Sequence, residues 1–313
     1  MIGLLASALL LLAQPAIPEN EWLRIEFQGE TAAQLQRSDI TMPELGMPHI
    51  NDLQLNIWIN EVSRKLSLEP RNAVIEENGR IIAEQKGRRI MTEKLQSAVM
   101  DYYLGQGNRI VQAPVVTVNP KVDKQLLQLL SAKRIGYYVT YYKSFNVNRS
   151  HNIDLATKAL NSYVVFPGET FSFNQAVGKR TVAKGYKPAK IIVRGEYSEG
   201  IGGGICQVSS TLFNAVDRAG LKIVNRYSHS REVPYVPPGR DATVSWGGPD
   251  FRFRNEYPYP ILIRASSHHG QMLVTIYSFT ELEYEPRMVP SASKVIPEEE
   301  EIELSGEIRN TVE

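Results

Sequence analysis

The stretch Gly202-Gly203-Gly204-Ile205-Cys206-Gln207 holds the residue types and spacing best suited to chemistry in this 313-residue chain. Three consecutive glycines precede a helical pattern. Val208, Leu212, Ala215, Val216 and Ala219 share one face of it, and Gly220 is placed to end it. Cys206 therefore falls at or near a helix N-terminus, where unpaired N–H groups and the positive dipole end favour a thiolate. Gly202, Gly203 and Gly204 allow close approach of a substrate to the backbone. Their N–H groups, with Gln207 beside them, are candidates for substrate binding and for holding an oxyanion in acyl transfer. The same pattern also fits a buried cysteine at a tight loop-to-helix turn. A phosphate loop is a third, weaker reading, because no Lys-Ser/Thr pair follows the glycines.

A nucleophilic cysteine needs a base within reach. Of the five histidines, His268 and His269 sit in an apparent hairpin turn and His151 in the first turn of a helix, while His49 lies outside the domain. His229 ends the strand that follows the Cys206 helix, so it is the candidate base. Asp241 is the candidate to orient its ring, with Asp250 as competitor. Arg231 and Arg240 could hold a substrate carboxylate by bidentate hydrogen bonds, or equally form structural ion pairs. Cys206, His229 and Asp241 match no zinc spacing, so neither a metal nor a cofactor is expected.

The bulk numbers narrow the class. The formal charge is +1, from 35 basic and 34 acidic side chains, with no basic block, which argues against nucleic acid as partner. One cysteine rules out an internal disulfide and the multi-cysteine zinc frameworks. The apolar run Ile2 to Ala13 suits a signal-peptide core and falls short of the ~20 residues of a spanning helix. No Lys or Arg precedes Arg24. Residues 1–17 are therefore read as a signal or anchor segment, which implies export to the cell envelope and makes membrane anchoring a candidate.

The elements that must position Cys206 follow from periodicity. Residues 18–48 read as a linker with one strand around Trp22 to Phe27. Leu55, Ile59, Val62 and Leu66 form a helical stripe capped by Asn51. Asn78-Gly79 marks a two-residue hairpin between Ala73–Glu76 and Arg80–Ala83. Leu95, Ala98, Val99 and Tyr102 predict a second helix, Ile110 to Val118 a strand, and Val122, Leu126, Leu129 and Leu130 a third helix. Residues 49–134 thus form a small α/β module. Residues 135–286 form a mixed, strand-rich domain: a tyrosine-rich strand from Ile135 to Lys143, a helix capped by Ser150, and a last pair of strands at Ile261–Ala265 and Met272–Tyr277. Residues 287–313 read as an acidic, disordered tail. The fold class is α+β.

Several ordered motifs make Asn152 to Tyr277 resemble a VanW domain. They are Phe166-Pro167-Gly168-Glu169-Thr170-Phe171-Ser172-Phe173-Asn174, the glycine-cysteine segment, Arg226-Tyr227-Ser228-His229-Ser230, Tyr235 to Val244, and Asp250-Phe251-Arg252-Phe253. Residues 49–134 more weakly resemble the peptidoglycan-binding domain that often precedes VanW domains. The family takes its name from glycopeptide-resistance clusters, and some members are credited with L,D-transpeptidase activity through a cysteine. The resemblance implies a peptidoglycan-modifying protein acting on stem peptides, with Cys206 as nucleophile. The alternative is a non-catalytic peptidoglycan-binding accessory protein, in which Cys206 is a packing residue and the glycine loop binds a muropeptide carboxylate.

Overall fold

The computed structural model describes residues 22–42, 49–105, 107–193 and 196–295. The apolar segment 1–17 and tail residues 296–313 lie outside the described residues. Among the described residues no helix is long and apolar enough to cross a membrane. The chain divides into two compact units. Among the described residues, one comprises those within 22–72 and 84–121, the other those within 73–83 and 122–295.

In the first unit, β1 (Trp22–Phe27) pairs antiparallel with β2 (Glu30–Gln36) and parallel with β8 (Ile110–Gln112). Gln28 and Gly29 both adopt positive φ, the tight-turn geometry that matches strand twist. Two short strands, β3 (Thr41–Met42) and β4 (His49–Ile50), lead into α1 (Asp52–Leu66). The Asn51 side chain accepts from the Gln54 N–H, and Leu55, Ile59, Val62 and Leu66 are the buried face, as the stripe predicts. They pack with Leu23, Ile25 and Leu35 and with Leu95 and Val99 of α2 (Thr92–Tyr103). Residues 22–42, expected to be a linker with one strand around Trp22 to Phe27, supply that strand and a second one, both contributing to the core. The strand expected from Ile110 to Val118 is broken at Ala113-Pro114, because proline has no N–H for a ladder. Beyond the break, β9 (Val115–Val118) pairs with β7 (Gly87–Ile90).

The second unit begins earlier than residue 135. The hairpin of β5 (Val74–Ile75) and β6 (Ile81–Ile82) and the helix α3 (Lys124–Leu130) belong to it. Ala73, Ile75, Leu127 and Leu130 bury against Val164 and Leu262, which draws these segments out of the first unit. The hairpin loop is Glu77-Asn78-Gly79, since Glu76 N–H donates to the Arg80 carbonyl at 2.8 Å. That is three residues rather than the two read from Asn78-Gly79, with Gly79 at φ +87°.

An antiparallel sheet runs in the order β10 (Lys133–Tyr141), β18 (Gln271–Ser278), β17 (Ile261–His268), β11 (Tyr163–Val165). The helix α6 (Ile205–Arg218) packs on β10 and β18, and α4 (Val147–Leu160) packs on β17. Gly136 lets α6 lie close, because a Cβ there would overlap the Ala215 carbonyl and stand 2.8 Å from Ala219 Cβ. The cap of α4 is Asn146, four residues ahead of the expected Ser150. A second sheet, β12 (Thr170–Ser172), β16 (Arg252–Arg254) and β15 (Lys222–Asn225), and the hairpin β13 (Pro188–Val193) with β14 (Glu196–Ile201) complete the unit. The short helix α5 (Phe173–Val177) links β12 to the β13 hairpin. Past residue 286 the described chain still packs on this unit: Arg218 donates to the Val289 carbonyl and Tyr138 to that of Pro290. The architecture is α+β.

Candidate functional site

Cys206 is the second residue of α6, entered from Gly204 at φ +104°. It stands partly buried at the helix N-terminus, as the glycine-helix pattern predicts. Its Sγ lies 3.7 Å from Thr243 Oγ1 and 3.6 Å from the Val244 carbonyl oxygen.

A polar stripe on α6 holds residues 240–244 along the helix. The Ala242 N–H donates to Ser210 Oγ at 2.8 Å, and Ser209 donates to the Ala242 carbonyl. Asn214 Nδ2 donates to the Arg240 carbonyl, and Arg240 returns bonds to Asn214 and Asp217 at 2.7 Å each. This stitching carries Asp241, 6% exposed, to the Cys206 end of the helix. One Asp241 oxygen accepts both the backbone N–H and the Nδ1–H of His229, each at 2.6 Å. That double bond fixes the ring and its tautomer, leaving Nε2 for the thiol.

Cys206 and His229 perturb one another. Burial pushes the thiol up. The hydrogen bond and positive charge of His229, with hydrogen bonds from the Val244 backbone and the Thr243 hydroxyl, outweigh burial and bring it below its ordinary value. Burial likewise opposes charge on the imidazole, but Cys206 and Asp241 together raise it above the usual histidine range. The arrangement favours a thiolate–imidazolium pair oriented by a carboxylate, the requirement for nucleophilic acyl chemistry.

Asp250, the competing acid, is occupied elsewhere. It accepts from Ser172 Oγ and from the Asn174 N–H at the start of α5. Arg240 is tied to Asn214 and Asp217, its guanidinium 4.6 Å from the Phe213 ring centroid. Gln207 is buried, accepting from Arg149 and donating to Thr140 Oγ1 and the Tyr141 carbonyl. The amides of Gly202, Ile205 and Gln207 bond the carbonyls of Lys187, Gly202 and Gly204. Arg231, with His229 and Asp241, lines a recess of about 270 Å³ walled also by Val233 and Pro238. The other histidines stand apart: His151 bonds the Gly185 carbonyl, and His268 pairs with Glu77. Among the described residues no cluster of His, Cys, Asp and Glu is arranged to hold a metal ion.

Two site features were not read from the sequence. One is the stripe Cys206, Ser210, Asn214, Asp217, polar residues at helical spacing along α6. The other is Arg180, at which the charge of Cys206 is felt. It lies in a loop with no motif to mark it.

An α+β domain with a cysteine, a histidine and an aspartate converging at a helix N-terminus defines a candidate thiol-dependent site. Residues 148–277, which contain all three, match the family described as VanW like protein. The chain is 52% identical over 299 residues to a Bacillus subtilis (strain 168) protein described as uncharacterized protein YoaR, covering 96% of this chain and 98% of that one. It is also 35% identical over 117 residues to the vancomycin B-type resistance protein VanW of Enterococcus faecalis (strain ATCC 700802 / V583), covering 36% of this chain and 42% of the relative. No solved structure matches. The chain belongs to the VanW-like family.

Proposed function

We propose that this is a cell-envelope protein that modifies peptidoglycan, acting as a cysteine acyltransferase of the L,D-transpeptidase type. The observation that carries the chemistry is the alignment of Cys206, His229 and Asp241, with both the thiol and the imidazole shifted toward their charged forms. The wall setting is supported by the vancomycin-resistance relative.

In this reading the Cys206 thiolate attacks the carbonyl carbon of the diaminopimelate or lysine residue that precedes the terminal D-Ala of a stem peptide. An S–C bond forms and the carbonyl electrons move to oxygen. The oxyanion collapses, the C–N bond breaks, and the D-Ala nitrogen takes a proton from the His229 imidazolium. The thioester is then attacked by the amine of a second stem, or by water. His229 accepts the proton released, and the thiolate is restored. Asp241 holds the ring throughout, and Arg231, which lines the adjoining recess, would meet substrate there. Residues 49–134 would bind glycan or peptide, and the N-terminal apolar segment would carry the protein out of the cytoplasm.

The test is incubation of the purified chain with disaccharide-tetrapeptide, with products resolved by mass spectrometry. The expected result is free D-Ala with a cross-linked dimer or a tripeptide, lost in Cys206→Ala. Retention of muropeptide without any product would favour the binding-only accessory role.

A further inference from the structure

Arg180 packs against the glycine turn that leads into Cys206, and the chemistry above leaves it unused. Its Nη1 donates to Asn174 Oδ1 at 2.7 Å. Asn174 is itself pinned, its side-chain amide donating to the carbonyls of Ser245 and Pro249 at 2.9 and 3.0 Å. The aliphatic stem lies against Gly202, where an added Cβ would stand 3.1 Å from Arg180 Cβ and 3.2 Å from its Cγ. The guanidinium carbon is 5.7 Å from the Phe173 ring centroid. The side chain is thus held along its length.

Its Nη2, by contrast, is buried with no hydrogen-bond partner among the described residues. A guanidinium cannot shed its charge, and a buried cation with an unsatisfied donor is costly unless an anion completes it. Burial works against its charge, while Cys206, Tyr186 and Asp250 work for it through space.

We infer that Arg180 is the carboxylate-binding residue of this site, receiving on Nη2 an anionic group of the molecule attacked by Cys206. Resting on the acyl-transfer reading, that anion is the free carboxylate of the terminal D-amino acid. Two atoms, the leaving nitrogen and its Cα, separate that carboxylate from the attacked carbonyl, so an arginine packed on the glycine turn that precedes Cys206 suits it. Stems ending in a free carboxylate would be substrates, and their C-terminal amides would be poor ones.

The test exploits the single cysteine. Alkylation of the full chain by iodoacetate and by iodoacetamide is followed by intact mass. Both reagents form an S–C bond and release iodide, but only iodoacetate carries a carboxylate. The iodoacetate-to-iodoacetamide rate ratio should exceed that of N-acetylcysteine. It should fall about tenfold or more in Arg180→Gln, the effect of a charge-assisted hydrogen bond, and recover in part in Arg180→Lys. An unchanged ratio in a folded variant, or an equal fall of both rates, overturns the assignment. Should Arg180→Gln not fold, a wild-type ratio no higher than that of N-acetylcysteine overturns it. The ratio needs no turnover, so it survives failure of the acyl-transfer reading. Conversely, equal turnover of tetrapeptide and its C-terminal amide would contradict Arg180 while leaving acyl transfer intact.

Discussion

Replacing His229 with Ala should slow alkylation of Cys206 by iodoacetamide at neutral pH. Burial alone pushes this thiol up, and His229 is the first of the groups that overcome it. Without the imidazole, burial regains the upper hand. A hydrogen bond to a charged group contributes about 1.5–3 kcal/mol, and 1.36 kcal/mol is tenfold in a protonation equilibrium. The thiolate population at pH 7 should therefore fall by roughly tenfold to somewhat over a hundredfold. A more basic thiolate is the better nucleophile, with a Brønsted slope of ~0.4–0.5, so the observed rate should drop by roughly 4- to 20-fold. The single cysteine makes intact-mass alkylation unambiguous. Measured from pH 6 to 9, the rate profile of the variant should shift to higher pH. A profile that superimposes on the wild type would refute the coupling between ring and sulfur.

Asp241→Asn should lower unfolding stability by about 1.5–3 kcal/mol in urea titration, because a buried carboxylate accepting two His229 donors is lost. Turnover of the wild type should be bell-shaped in pH. The thiol is shifted down and the imidazole up, so activity fails on the acid side as the thiolate takes a proton and on the alkaline side as the imidazolium loses its own. Gly203→Ala should cost about 1–3 kcal/mol or more in thermal melts, since its Cβ would stand 2.5 Å from the Lys190 carbonyl oxygen and 2.8 Å from Ala189 Cβ.

Local signals read well. The Asn51 cap with its four apolar positions gave α1, and the run from Gly202 to Gly220 gave α6 with Cys206 at its start. Cys206 and His229 were legible because each is a rare residue type next to a recognisable element. Asp241 was the sequence candidate with Asp250 as competitor, but what separates the two was not legible, since it depends on which loop α6 stitches to its polar side. The boundary near 135 was misplaced for a similar reason. The 73–83 hairpin and α3 bury their apolar residues against Val164 and Leu262, far along the chain, and no local pattern carries that information. Pro114 did announce the break in the Ile110–Val118 strand, but the β-branched residues around it masked the signal. Arg180 has no sequence mark at all. Its meaning lies in Asn174, Phe173 and Gly202 closing around it.

The most direct test of the central claim is intact-protein mass spectrometry of the chain mixed with disaccharide-tetrapeptide and quenched in acid within the first turnovers. A covalent adduct on Cys206 is expected, its mass that of the donor less D-Ala, cleavable by hydroxylamine and accumulating when no acceptor amine is present. It should be absent in Cys206→Ala and slow to form in His229→Ala. An unmodified protein under conditions where muropeptide is bound would contradict a thioester mechanism.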